Sequence, residues 1–298
     1  MKVAVLPDRG VVKIAGDDTR KFLQGLLTTD MLNFHAGEAR FAALLSPQGK
    51  IIADFIVTEA PAAEGGGLFL DVSRALAKPL VDKLNLYKLR ARLVIEDLSD
   101  TLGILAVWGE SVSGTGLPGL AYPDPRLAAL GWRAIVARRG ATETASTLGG
   151  VPADASDYEA HRIALGIPRG GVDFGYGDAF PHETDMDQLG GIDFAKGCYV
   201  GQEVVSRMEH RGSGRTRAVS VRYDGETPSL GTTITAGDRQ IGTMGSAANG
   251  HGLALLRLDR VAEAFSRGDE LRAGSVTINP VKPDWAHFAF PDGSKAAE

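Results

Sequence analysis

Residues 40–58 read RFAALLSPQGKIIADFIVT. Two apolar runs, 40–45 and 50–58, flank Ser46-Pro47-Gln48-Gly49, and a proline followed two residues later by glycine fits a tight turn. The stretch reads as a β-hairpin, and its neighbours decide what kind of sheet it joins. Upstream, residues 11–15 form a short β-type run, after which Asp17 or Asp18 can cap a helix by accepting a hydrogen bond from an orphan amide. In residues 19–32, TRKFLQGLLTTDML, the side chains of Phe22, Leu23, Leu26 and Leu27 share one helical face. Gly25 costs that helix about 1 kcal/mol relative to alanine, so close packing is expected there. Downstream, residues 61–67 read as a flexible tip and 68–72 as a strand. Ser73 is placed to cap a helix carrying Leu76, Leu80, Leu84 and Tyr87, which Pro79 should kink or delay. Residues 91–96 alternate as a half-buried strand, 103–108 and 132–137 read as strands joined by a turn-rich connection over 111–125, and 157–165 reads as a helix. Helices and strands mix without a regular βαβ period, so the expected fold class is α+β rather than a doubly wound sheet.

After Arg217 the pattern changes to short strands at close spacing: 219–223, 232–236, 240–245, 253–258, 270–272 and 276–278. That is the signature of a small all-β barrel or sandwich. The expected organisation is residues 1–212 as two intertwined α+β lobes, 213–288 as a C-terminal β-barrel and 289–298 as a tail. The boundary falls near Gly212-Ser213-Gly214.

Composition narrows the function classes. The chain of 298 residues carries 32 Lys+Arg against 37 Asp+Glu, a formal charge of −5, and gives no reason to expect direct nucleic-acid binding by its surface. Its one cysteine cannot form an intrachain disulfide or hold an iron–sulfur cluster alone. The first residues lack a signal-peptide pattern, and no apolar run approaches the roughly 20 residues that span a bilayer. The expected location is therefore the cytoplasm, away from membranes. The 38 glycines follow no repeat and read as turns and close backbone approaches.

The densest chemistry is Lys196-Gly197-Cys198-Tyr199-Val200-Gly201-Gln202-Glu203. An ammonium two residues from a thiol favours the thiolate, the nucleophilic and metal-binding form. Gly197 and Gly201 allow a ligand close to the backbone. Val204, Val205 and Met208 have helical spacing, and a helix starting near Gly201 favours an anion beside Cys198. The alternative is an inert cysteine in a glycine-rich turn. A second group, Pro181-His182-Glu183-Thr184-Asp185-Met186-Asp187, would present Glu183, Asp185 and Asp187 on one face if extended. These acids with His182 suit a metal, a ligand or acid–base chemistry. They equally suit a solvated loop, and their spacing matches no specific metal motif. A third group, Arg207, Arg211, Arg215 and Arg217, can grip a phosphate or carboxylates, or form a solvated helix end. Gly114–Gly116 and Gly175–Gly177 lack the strand–turn–helix context of dinucleotide binding.

These residues resemble a known family. The octapeptide 196–203 is similar to the signature of the YgfZ family, folate-binding proteins of iron–sulfur cluster metabolism related to the glycine-cleavage aminomethyltransferases. The order of further pieces agrees: 22–30, Ser46-Pro47-Gln48-Gly49-Lys50 with Asp54, 89–92, 162–168, Pro181-His182-Glu183 and 283–286. The resemblance covers roughly 10–288 and is strongest to the branch that contains a mitochondrial iron–sulfur assembly factor. It implies an aminomethyltransferase-like, ring-like arrangement of three lobes around a folate pocket, with Cys198 as the functional residue. It also implies a role in assembling or repairing clusters in client enzymes.

On that basis the expected ligand is tetrahydrofolate or a derivative, with no permanent metal, and Cys198 is a nucleophile or transient metal ligand whose thiolate Lys196 favours. Asp54 and Glu183 are candidate acceptors for the pterin N–H groups. Arg207 and Arg211 suit the glutamate tail, and Tyr199, Gln202 and Glu203 are further candidate folate contacts. The expected partners are folate and iron–sulfur client or assembly proteins. Where aminomethyltransferases carry paired acids on the early hairpin, this chain reads Ile52-Ala53-Asp54, with one acid. Two other readings stay open: a folate-dependent one-carbon transferase using Asp54, and a non-enzymatic adaptor.

Overall fold

The computed structural model describes residues 1–291 except 36, 110, 111, 113, 212 and 213, and the Arg211 side chain. The expected boundary at 212–213 and most of the 289–298 tail thus lie outside the described residues. The chain forms two units, Met1–Tyr158 with Leu189–Gln202, and Glu159–Gln188 with Glu203–Glu298. The unit that carries the barrel is thus larger than the expected 213–288 segment.

The first unit contains β1 (Lys2–Leu6), β2 (Arg9–Ala15), α1 (Thr19–Gln24), β3 (Ala39–Leu45), β4 (Ile51–Glu59), β5 (Leu68–Ser73), α2 (Arg74–Lys88), β6 (Val94–Asp97), β7 (Leu102–Trp108), β8 (Leu120–Pro123), β9 (Trp132–Ala137), α3 (Ala141–Thr147) and β10 (Val151–Pro152). They make two five-stranded sheets, ordered β3-β4-β5-β2-β6 and β10-β1-β7-β9-β8. The hairpin predicted over 40–58 is β3–β4, with Phe41 opposite Ile56 and Ala43 opposite Asp54. Its turn closes through Gly49 N–H to Ser46 O (2.8 Å), with Gly49 at φ 79°. Strand alternation then sorts the side chains. Ala53, Phe55 and Val57 face an apolar core with Leu23, Leu27, Leu70, Leu80 and Leu84. Asp54 and Asp71 take the alternate positions, so both fall on the other face.

Several expectations are revised. α1 stops at Gly25, and Leu26 and Leu27 reach the core from the turn beyond it. A Cβ on Gly25 would meet only Phe22 O, at 3.9 Å, so no close packing demands that glycine. Pro79 lies inside α2 without delaying its start, and Ser73 makes no side-chain cap. The Arg74 N–H donates instead to Asp8 O (2.8 Å). The strand expected at 91–96 begins only at Val94, because Ala91 is held in a turn by Lys88 O. The turn-rich connection contains β8, whose Tyr122 is buried.

α4 (Ala155–Ala164) and α5 (Gln202–Arg211) carry the chain between the units. The second unit adds β11 (Thr216–Tyr223), β12 (Thr233–Ala236), β13 (Arg239–Ala248), β14 (His251–Arg257), α6 (Leu258–Arg267), β15 (Leu271–Ala273) and β16 (Val276–Val281). The strands close into a six-stranded barrel, β11-β14-β13-β12-β15-β16, around Val219, Val221, Ile234, Met244, Leu256 and Ile278. Closure leaves no free sheet edge to pair with another chain. The helix α6 was missed by the strand reading. Its signal was Leu258, Val261, Ala264 and Phe265 at helical spacing, ending at Gly268 with φ 71°. Among the described residues no helix is long and apolar enough to cross a membrane.

Candidate functional site

The sole cysteine stands on a loop that the first unit holds from below. Asp193 starts it: the Asp193 N–H donates to Thr28 O (2.9 Å), and the Asp193 carboxylate accepts from the amides of Ala195 and Lys196. Lys196 then turns inward. Its ammonium donates to the carbonyls of Gln24, Leu27 and Thr29, at 2.8, 2.5 and 2.8 Å. Gln24 ends α1, Leu27 and Thr29 lie in the segment beyond it, and a lysine has three donors to give. Burial pushes the Lys196 pKa down to about 8, opposed by Asp30 and Asp193. The Tyr199 ring lies 5.1 Å from Lys196 Nζ, and burial, with Asp193, raises its hydroxyl to about 12. The Val200 N–H donates to Gly25 O (3.2 Å). Between these anchors Cys198 is exposed and free. All three Lys196 donors are committed to backbone, so the lysine anchors the loop and any influence on the thiol is through its charge alone.

The two glycines differ. Gly201 sits at φ 82°, and a Cβ there would lie 2.5 Å from Ser46 O in the β3–β4 turn. Gly197 has nothing within 4 Å of its would-be Cβ, so its backbone is open. Gly201→Ala should lower stability by about 2 kcal/mol through the left-handed backbone alone, with the clash adding to it. A thermal-unfolding midpoint equal to the parent's would show that the turn relaxes at no cost.

The remaining expected contacts are distributed differently from the sequence reading. Asp54 is buried on β4. Gln202 opens α5, its N–H donating to Tyr199 O (3.2 Å). Glu203 and Arg207 pair with each other one turn apart on α5, both largely exposed. Glu183, Asp185 and Asp187 do not share an extended face. Pro181–Thr184 is a 3₁₀ turn in which Glu183 Oε2 accepts from the Phe180 N–H (2.8 Å). Proline at its first position and glutamate at its third carried that signal. The chain then passes through Asp185 at φ 59°. Asp185 and Asp187 both turn to Arg217, which donates to Asp187 at 2.6 and 2.9 Å, to Asp185 Oδ1 at 3.3 Å and to His182 O at 2.7 Å. Burial, with the Asp187 charge beside it, pushes the Asp185 carboxyl well above its usual range against Arg217. The expected arginine cluster is therefore not one patch: Arg207 faces solvent and Arg217 is buried.

Sequence reasoning missed a buried charged cluster. Asp71 accepts from Arg9 Nε (2.7 Å), Arg133 Nη1 (2.7 Å) and the Tyr122 hydroxyl (3.1 Å). Arg133 also reaches Asp124, which pairs with Arg126. The available signal was one opposite charge in each of two apolar strands, LFLDVS and WRAIVA. A cleft of about 630 Å³ opens beside the cysteine loop in the same unit, lined by Thr29, Asp30, Arg40, Phe41, Ile192 and Phe194, among others.

Known proteins share this architecture. Residues 215–288 match the model of the CAF17 C-terminal β-barrel domain. The chain is 30% identical to the mitochondrial iron–sulfur cluster assembly factor IBA57 of Homo sapiens, over 94% of this chain and 84% of the relative, with the same figures for Mus musculus. The homologue from Mycosarcoma maydis is 32% identical over 74% of this chain. The chain spans only 57% of that fungal relative's length and 63% of the one from Coccidioides immitis. Glycine cleavage system aminomethyltransferase T from Bartonella henselae superposes with a TM-score of 0.73 over 98% of this chain and 88% of its own, at 13% identity. The fold is thus aminomethyltransferase-like, with a closed C-terminal barrel. These relatives are mitochondrial by name, which overturns the cytoplasmic expectation. With identity at this level across most of the IBA57 sequence, the chain belongs to the family of the iron–sulfur cluster assembly factor IBA57.

Proposed function

We propose that this protein assists the assembly or repair of iron–sulfur clusters in client proteins, with Cys198 as the group that meets the cluster or the client. The observation that carries this is an exposed thiol on a loop whose flanking residues are pinned to the protein, Lys196 by three hydrogen bonds and Val200 by one to Gly25 O. One thiolate cannot complete a cluster, so the other ligands come from a second protein or a small thiol. The proposal includes the YgfZ-type reading, in which the protein also binds tetrahydrofolate. The cleft beside the loop supports this, because Phe41 and Phe194 give a flat heteroaromatic ring apolar surface. Asp54 remains the proposed acceptor for the pterin. Glu183 and Arg207 have partners of their own and would have to exchange them for folate.

The test is complementation of a deletion strain, reading client iron–sulfur enzyme activity. Cys198→Ser should leave activity at the deletion level while the purified variant melts with the parent, since the side chain is exposed. Full restoration sinks the cysteine role. Folate is tested separately by melting: tetrahydrofolate at 100 times its Kd adds about 2.7 kcal/mol of stability. No shift at high ligand favours a folate-free adaptor. The likeness to an aminomethyltransferase favours one second reading, a one-carbon transferase. Folate turnover that survives Cys198→Ser and is lost in Asp54→Asn would support it.

A further inference from the structure

The second unit gathers three metal-type donors from three places in the chain. His182 comes from the 3₁₀ turn, Asp187 from the segment after it and Glu209 from the middle of α5. His182 Nε2 lies 3.1 Å from Glu209 Oε2, and one donor atom from each of the three falls within 4.8 Å of the other two. We propose that His182, Asp187 and Glu209 form an exchangeable site for a divalent first-row transition cation, a site separate in chemistry from Cys198.

The donor set chooses the class of ion. One imidazole nitrogen with two carboxylates suits zinc, manganese, ferrous iron or cobalt, whereas magnesium and calcium prefer oxygen alone and cuprous copper prefers sulfur. Three protein ligands leave a position open for water. Two of the donors are already oriented. His182 is buried and its backbone carbonyl is held by Arg217. Both oxygens of Asp187 accept from the same guanidinium, which is how an outer partner orients a ligating carboxylate; Oδ2 also accepts from Gln188 Nε2 (2.7 Å), so Oδ1 is the oxygen with a second lone pair for the cation. Glu209 is the half-exposed arm through which an ion enters. The Glu209 carboxylate accepts from Nε2–H in the metal-free protein, so on binding the imidazole changes tautomer: its proton moves to Nδ1 and the cation takes the freed Nε2 lone pair.

Charge sets the strength. Asp187 and Glu209 contribute two negative charges and Arg217 one positive, so a dication is attracted but less strongly than in a cage of acids. That predicts exchange rather than permanent occupancy. Asp185 belongs to the same Arg217 cluster, its Oδ1 sharing Arg217 Nη1 with Asp187, but it is not one of the three converging donors.

The test uses the full chain carrying Cys198→Ser, so that the thiol cannot supply the signal. Cobalt(II) titration should develop visible d–d bands, zinc should displace them, and the paramagnetic ion should broaden the His182 ring resonances before those of the other histidines. Glu209→Gln, at a half-exposed position, should melt like its parent without metal and bind at least about tenfold more weakly. No d–d bands at millimolar cobalt, broadening centred on another histidine, or undiminished affinity in Glu209→Gln would each overturn the site. Should Glu209→Gln melt lower without metal, the histidine broadening in the parent decides alone.

Discussion

Asp71→Asn is expected to lower the stability of the first unit by about 3–5 kcal/mol, the cost of breaking a buried ion pair from one side. Asp71 is fully buried on β5 and answers Arg9 on β2 within its own sheet. It also answers Arg133 on β9 and Tyr122 on β8, strands of the other sheet. An asparagine there keeps the shape but removes the charge and turns an amide donor toward two guanidiniums. Arg133 is then left in a low-dielectric interior sharing Asp124 with Arg126. The urea midpoint should fall with the slope unchanged. Asp71→Asn with Arg133→Met should recover part of the loss, because removing both charges spares the penalty of an orphaned one. A single-variant loss under about 1 kcal/mol would mean that water reaches the cluster. The pH dependence has a definite sign. Although burial opposes it, the arginines hold the Asp71 and Asp124 carboxyls below their ordinary value of 3.8. Their contribution is complete above that value and is lost as pH falls below it, so acid should unfold this unit steeply.

Lys196→Met should cost about 3 kcal/mol or more. Methionine fills a similar volume but donates nothing, leaving three carbonyls at and beyond the end of α1 without the donor they share, at about 1–3 kcal/mol for each buried acceptor. Calorimetric melting measures the loss. Alkylation of Cys198 across a pH series separates anchoring from activation. If Lys196 only anchors, the midpoint of thiol reactivity stays in place while stability falls; a raised midpoint would show that its charge favours the thiolate. The lysine itself titrates in a useful window. Its folded pKa of about 8 lies below the ordinary 10.5, so between those values the unfolded chain binds more protons. The parent should therefore gain stability from this group as pH rises through that range, and Lys196→Met should lose that slope.

Much of the fold was legible because its determinants are local. The β3–β4 hairpin follows from alternation and a Pro-Gln-Gly turn, and the barrel strands from short β runs between glycines. The elements that escaped were those whose local signal was weak or shared. β8 lies among prolines and glycines, and α6 follows β14 without a break, so Leu258 served both readings. The cysteine loop was recognisable as a motif because its spacing is compact. The function of its lysine was not, since the carbonyls it serves are nearly 170 positions away in the chain.

By itself, the sequence determined the α+β class, the C-terminal barrel, the octapeptide around Cys198 and the kinship that these carry. Each depends on residues within a few positions of one another, where steric preference and periodicity act directly. Only the tertiary structure decided the partners of the charged groups. It turned Lys196 onto three carbonyls and Glu183 onto its own turn. It also joined Asp71 to Arg133 across two sheets and brought Glu209 to His182. A buried charge must find an opposite charge or a hydrogen bond at whatever sequence distance the fold supplies one, and no window of sequence contains that choice.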